Sequence, residues 1–200
     1  QRLDEMEHKG LIFVVHEEGK EPEYMAAHWA IGIYEFQLNR LDADFVRDFE
    51  EFGPAWFDQA AWDQAPQLRT IPVGESIPTQ AEIMPYERAE ELVRAQDRLA
   101  VAPCICRKEQ QIAGHGCDKP LESCLIMGSA ATYYVHNGLG REIDQAEALS
   151  LLSQAEDQAL VLQPANAKDA HNICMCCGCC CGILAAVKRQ PKPASFVASA

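Results

Sequence analysis

The sequence has no cysteine before position 104 and none after 181, so the first half can offer a metal or a disulfide no thiol at all. No apolar run approaches the length of a membrane span, and no basic region followed by an apolar core marks an export signal, so membrane insertion is not expected. Basic residues are scarce: 17 stand against 30 acidic ones, a formal charge of -13. Such a balance opposes nucleic acid, whose affinity rests on neutralising phosphates. The sequence also lacks solenoid-length repeats, a phosphate-binding glycine loop, a Ser/His/Asp arrangement and a carboxylate pair in a distinctive context. Catalysis therefore has no motif to stand on, and a non-catalytic role is expected.

What the sequence does have is ten cysteines between 104 and 181, six of them in the stretch Cys174-Met-Cys176-Cys177-Gly-Cys179-Cys180-Cys181. Packing alone would need one or two buried thiols, so this density points to metal. Cys174, Cys177 and Cys180 form C-x2-C-x2-C, the spacing by which bacterial ferredoxins hold three irons of a [4Fe-4S] cube. Further ligands are sought upstream, at Cys104, Cys106, Cys117 and Cys124. An extended Cys-Ile-Cys segment would put Cys104 and Cys106 on one side, and Cys124 in the first turn of a helix would meet its positive dipole end.

Two partitions are open. Either Cys104, Cys106, Cys117 and Cys124 close one site and four of the last six another, or the two groups exchange ligands. Two [4Fe-4S] clusters are expected, since eight ligands leave only two thiols over. The expected ligands are Cys104, Cys106, Cys117, Cys124, Cys174, Cys176, Cys177 and Cys180, with Cys179 and Cys181 as additional candidates. Zinc is the alternative metal, although gaps of this kind are not a finger spacing. His115 and His171 are further candidates, more often found in loops than as ligands. Runs of adjacent cysteines suit disulfides poorly, so a reducing, cytoplasmic setting is expected.

Residues 1–100 carry 9 basic and 21 acidic groups, whereas 101–200 carry 8 and 9, so the acidity belongs to the cysteine-poor half. Leu3 to Gly10 reads as a helix closed by glycine, followed by a hairpin of Leu11–Val15 and Glu23–Met25. A helix followed by a hairpin is the second half of a winged-helix unit, here with acidic Glu17, Glu18, Glu21 and Glu23 on the presumed wing. Residues 28–38 and 42–52 have helical spacing, with Asp42 as N-cap. Their aromatic residues, with Trp56 and Phe57 beyond, read as core or interface. Gln67 to Val73 reads as extended, Pro85 to Ala95 as a helix, and Leu121 to His136 as a helix opened by Pro120. Asp144 and Glu147 start a helix to about Leu160, a short strand follows at 160–162, and Gly182 to Arg189 is helical.

The expected fold is mainly α with small β-hairpins (α+β). It comprises a winged-helix-like N-terminal region (1–78), a helical cysteine-rich cluster-binding module (79–190) and a tail (191–200).

The segments Cys-Ile-Cys-Arg-Lys-Glu (104–109), Gly-Cys-Asp-Lys-Pro-Leu-Glu-Ser-Cys-Leu (116–125), Gly-Leu-Gly-Arg-Glu-Ile (138–143) and Ile-Cys-Met-Cys-Cys-Gly-Cys-Cys-Cys (173–181) resemble the iron-sulfur proteins of anaerobic bacteria and archaea labelled 4Fe-4S ferredoxins. The resemblance is strong over 103–182 and weak over the N-terminal half. It implies a winged-helix-like region before the cysteine module, and often a two-cluster ferredoxin domain after it, which would begin near Ala200. The function expected is that of an electron carrier or electron-input subunit, working with a redox protein partner or a larger redox complex; a homodimer is also compatible. Arg107 and Lys108 would tune the potential. A redox- or metal-responsive winged-helix regulator and a structural zinc protein are the alternatives.

Overall fold

The computed structural model describes residues 2–58, 68, 89–167 and 169–190, without the side chains of 30, 31 and 54–58. Helix α1 (Arg2–His8) closes at Gly10, whose φ of +68° is the left-handed conformation glycine tolerates best. Strand β1 (Ile12–Val15) then pairs antiparallel with β2 (Glu23–Ala26), Val15 opposite Glu23. Residues 28–38 do not form the expected helix. A single π turn at Trp29–Ile33 and a 3-10 turn at Glu35–Gln37 replace it, and Gly32 within the first is anchored by Glu35, which accepts its N–H at 2.7 Å. Helix α2 (Ala43–Asp58) follows, capped by Asp42, whose Oδ1 accepts from the Phe45 N–H at 2.8 Å.

The second half is built on a five-stranded antiparallel sheet. Its strands are β3 (Leu99–Pro103), β4 (Glu122–Met127), β5 (Arg141–Ile143), β6 (Val161–Pro164) and β7 (Asn172–Cys176), in the order β5-β3-β4-β7-β6. Helices α3 (Ala89–Arg94), α4 (Ile105–Ile112), α5 (Gly128–His136), α6 (Gln145–Asp157) and α7 (Gly182–Arg189) surround it. Alternation along the strands divides the core in two. Leu99, Val101, Leu125, Met127, Ile173 and Met175 meet α3 and α6 on one face. Ala100, Ala102 and Ile126 meet α5 and the N-terminal segment on the other. A fully buried side chain such as Leu125 or Ile173 contributes about 1.5–3 kcal/mol.

Several expectations are corrected. The cysteine-rich part is a sheet with helices packed on it rather than a helical module, and the chain is α+β. Leu121 to His136 is not one helix: Leu125-Ile126-Met127 is the central strand, buried on both faces, and Gly128, at φ +61°, turns the chain into α5. A continuous apolar run of that length reads equally well as either element.

Nor is the N-terminal half a winged helix. Its helix and hairpin do exist, but their apolar groups are spent on the sheet-bearing half: Phe13 and Phe36 lie 5.0 and 4.6 Å from the Tyr133 ring of α5, and the Tyr133 hydroxyl donates to Ile12 O. The segment is a cover for one sheet face. Gln67 to Val73 lies outside the described residues except Leu68, which bridges to Ala165; so do residues 85–88 of the expected 85–95 helix and the 191–200 tail. Among the described residues no helix is long and apolar enough to cross a membrane.

A Cβ on Gly10 would stand 2.6 Å from the Phe36 Cβ, whereas one on Gly19, at φ +76°, would meet nothing. Gly10→Ala is therefore expected to cost more than the ~1 kcal/mol of a left-handed alanine, roughly 2–3 kcal/mol in all, and Gly19→Ala only the former. Urea unfolding of the two variants checks this, and equal losses would contradict it.

Candidate metal centre

Strand pairing brings the two cysteine-bearing segments together. Cys124 of β4 stands directly opposite Cys174 of β7, and Cys174 and Cys176, two residues apart, share a side of β7. Cys104 is the N-cap of α4 and Cys181 the N-cap of α7, so two helix N-termini end on thiols. The Cys-Ile-Cys segment is thus not extended as expected. Cys104 leaves the end of β3 and Cys106 already lies in the first turn of α4, while Cys124 lies in a strand instead of a helix start.

The ten thiols separate into four and six. Cys117, Cys177, Cys179 and Cys180 have sulfurs that all lie within 4.8 Å of one another, a group able to hold a metal ion. Cys117 Sγ is 3.9 Å from Cys177 Sγ and 3.5 Å from Cys180 Sγ, and Cys179 Sγ is 3.8 Å from Cys180 Sγ. Bonds of about 2.3 Å to a tetrahedral ion place thiolates about 3.8 Å apart, so this quartet is spaced for a single ion. A cube would hold its thiolates farther apart, because each binds a different iron.

The other six are Cys104, Cys106, Cys124, Cys174, Cys176 and Cys181. Their thiols interact pair by pair: Cys104 with Cys106, Cys124 with Cys174, Cys174 with Cys176, and Cys176 with Cys181. They do not close into a knot like the quartet. Cys177, Cys180 and Cys117 border the α6 side of the core, whereas Cys106 and Cys124 border the α5 side.

All eight primary ligand candidates lie in one or the other of these groups, which cut across the grouping by sequence. Cys117 leaves its upstream neighbours to join the C-terminal stretch, and Cys179 stands in the quartet although it was only an additional candidate. Cys174 and Cys176 stand with the upstream cysteines. His115 and His171 are exposed, and neither belongs to a ligand group among the described residues.

Arg107 lies between the two groups with 1% of its surface exposed. Its Nε donates to Cys177 Sγ at 3.4 Å, Nη1 to Pro120 O at 2.6 Å and to Ser123 Oγ, and Nη2 to Met175 O at 2.7 Å. Burial opposes its charge, but the neighbouring Cys104 and Cys177 outweigh that and hold it firmly protonated. Lys108, expected to act alongside it, instead donates to Leu38 O at 2.6 Å and secures the N-terminal cover.

Three polar side chains that the sequence did not single out also face this region. Asn172 Nδ2 donates to Cys174 Sγ at 3.4 Å and Gln163 Nε2 to Cys181 Sγ at 3.8 Å, both from buried strand positions. Ser123 completes the Arg107 shell. The available signal was an amide inside an apolar strand, as in Val-Leu-Gln-Pro and Asn-Ile-Cys, which burial tolerates only with a partner.

The protonation pattern favours a cation. A hydrogen bond from Cys106 holds the Cys104 thiol down at about 6. Burial would raise Cys177, but hydrogen bonds from Arg107 and Cys179 bring it to about 7. In turn, the hydrogen bond with Cys104 and then burial push Cys106 far up. Cys174, Cys176 and Cys181 are raised through their thiol neighbours and burial. A crowded set of buried thiols can carry little negative charge by itself; a bound cation inverts that logic and deprotonates its ligands outright. No protein-family model, curated protein or solved structure matches this chain.

Two outcomes are expected. Adding Zn²⁺ or Fe²⁺ to the metal-free, reduced protein at pH 7 in weak buffer should acidify the solution, and apparent affinity should rise with pH, because the raised thiols must give up protons to bind. A pH-independent affinity would contradict this. Arg107→Leu should destabilise the protein by roughly 3–5 kcal/mol, since buried carbonyls lose their donor. It should also slow iodoacetamide labelling of Cys177 at pH 7, as that thiol rises from about 7 towards its ordinary value.

Proposed function

We propose that this chain is an iron-sulfur electron-transfer protein, a carrier or electron-input subunit, in which the six-thiol group holds a [4Fe-4S] cluster and the quartet a second thiolate centre. The observation that carries the reading is the division itself. Six thiols linked pairwise, too spread for one ion, converge on two helix N-termini and lie beside a buried guanidinium, all of which favour a bound group of net negative charge. A zinc protein has no use for six thiols in such an array. When bound, the cluster supplies a one-electron redox couple. The chain's own part is to fix it through thiolates and to lower the cost of the added electron through Arg107, Asn172 Nδ2 and Gln163 Nε2, which point hydrogens at the sulfurs.

The quartet favours a finer assignment of its own. A second [4Fe-4S] cluster there would require the four thiols to move apart. As they stand, at 3.5–3.9 Å for the closest pairs, they suit a single tetrahedral ion, iron or zinc. The electron partner on this reading is another redox protein, and the resemblance to 4Fe-4S ferredoxin-labelled proteins of anaerobes supports the same class.

Anaerobic purification with iron, zinc and labile-sulfide analysis, together with EPR of the reduced protein, tests this. Iron and sulfide in equal amounts plus one sulfide-free ion are expected. Cys176→Ser should abolish the labile sulfide and the reduced-cluster signal, while Cys179→Ser should remove only the sulfide-free ion. Zinc alone, with no sulfide after reconstitution, would end the electron-transfer reading; sulfide bound in proportion to two cubes would end the single-ion assignment of the quartet.

A further inference from the structure

On the α5 face of the sheet, beneath the N-terminal cover, lies an open cavity of about 380 Å³. Its floor is apolar and buried, formed by Phe36, Ile126, Ala130 and Tyr134, with the Phe13 ring on the wall. Its rim is exposed and polar, with His28, Ser129, Asp169 and His171, and among the described residues no lysine or arginine lines it. Such a volume, with mostly apolar walls and a few convergent polar groups, is that of a small-molecule site.

One atom in this wall has no account within the protein. Asn172 is 1% exposed, and its Oδ1 has no hydrogen-bond partner among the described residues, whereas its Nδ2 is used on Cys174 Sγ. A buried carbonyl oxygen left unpaired costs about 1–3 kcal/mol. An ordered water would need two to four polar partners, and the apolar floor supplies few.

We infer that the cavity binds a flat, uncharged aromatic molecule of two or three rings whose N–H or O–H donates to Asn172 Oδ1. The ring shape follows from the Phe13 and Phe36 side chains and the size from the volume. The preference for an uncharged molecule follows from the mostly apolar walls, and the donor from the unpaired oxygen. Because Asn172 also holds Cys174, the occupant would sit one side chain from the six-thiol group, on the face away from the quartet. The site itself stands on the cavity and on Asn172, and does not depend on which metal the thiols hold.

The test is equilibrium binding to the anaerobically purified full chain, by fluorescence for lumichrome and by calorimetry for naphthohydroquinone. Saturable micromolar binding of either probe is expected. Asn172→Leu should weaken it about tenfold, the value of one buried hydrogen bond. N-methylated lumichrome, which has lost its donors, should bind the natural chain with the same deficit and be indifferent to Asn172→Leu. Should that variant disturb folding through Cys174, Ser129→Trp supplies the independent check: this exposed rim position can block the mouth without touching the thiols, and binding should be lost with metal content unchanged. Absence of saturable binding by both probes, equal binding of the methylated ring, or unaltered binding to Ser129→Trp would each overturn the inference.

Discussion

A guanidinium with almost no access to water is the constraint on which the rest of this molecule depends. Arg107 costs several kcal/mol to bury, and that cost is offset only because every direction it faces offers an acceptor: the Pro120 and Met175 carbonyls, the Ser123 hydroxyl and the Cys177 sulfur. Those acceptors come from the loop before β4, from β4 itself, from β7 and from the turn after it. The same residue thereby ties helix α4 to both cysteine-bearing segments. Its charge then selects what can be placed around it. Thiolates are favoured beside it, and a neutral packing residue there would leave the carbonyls without donors.

The sheet does the rest of the positioning. Antiparallel pairing of β4 and β7 sets Cys124 against Cys174, and the two-residue period carries Cys176 to the same side. Where β7 ends, the chain turns through Cys177 to Cys180, with the Cys181 N–H returning to Cys177 O at 3.2 Å and Lys188 Nζ holding Gly178 O at 2.9 Å. The turn reverses the direction in which thiols are presented. A single eight-residue stretch therefore feeds both groups, three thiols to each, while described residues of the cysteine-free N-terminal segment seal the α5 face. Phe13, Phe36 and Tyr34 do that sealing, with Tyr34 stacked on Phe49 at 4.2 Å and donating to the buried Glu109 carboxylate at 3.0 Å.

How much of this can be read from sequence depends on whether the signal is local. The Asp42 and Asp144 caps, the Gly10 stop and the α1–hairpin order were legible, because each is decided by neighbours within a few residues. That cysteines 104–181 form a metal-competent region was legible from density alone, and one quartet within it has the spacing to hold an ion. Which thiols belong together was not. Partition depends on strand register and on which way a turn faces, and neither leaves a trace in Cys-x2-Cys counting. The Leu121 to His136 error has the same origin: Leu125, Ile126 and Met127 are all buried because a central strand is covered on both faces, a fact set by the sheet and not by the periodicity of the run. The winged-helix reading failed for a related reason, since a helix and hairpin are defined locally but a domain is defined by what they pack against.

The division of thiols has a consequence for folding. Without a cation, Cys106, Cys174, Cys176 and Cys181 keep their protons, because their thiol neighbours raise them and burial adds to the effect. Neutral thiols at such distances attract one another weakly, so they contribute little to holding β7 on β4 beyond the backbone ladder. On the proposed reading, a metal centre held by these thiols would replace this indifferent contact with bonds from α4 and β4 to β7, the elements Arg107 already links from the side. The metal and the guanidinium would then reinforce the same junction, one by coordination and the other by hydrogen bonds. Loading the centre should order the C-terminal stretch more than the caps and hairpin of the N-terminal cover, which draw their stability from aromatic packing that no metal touches.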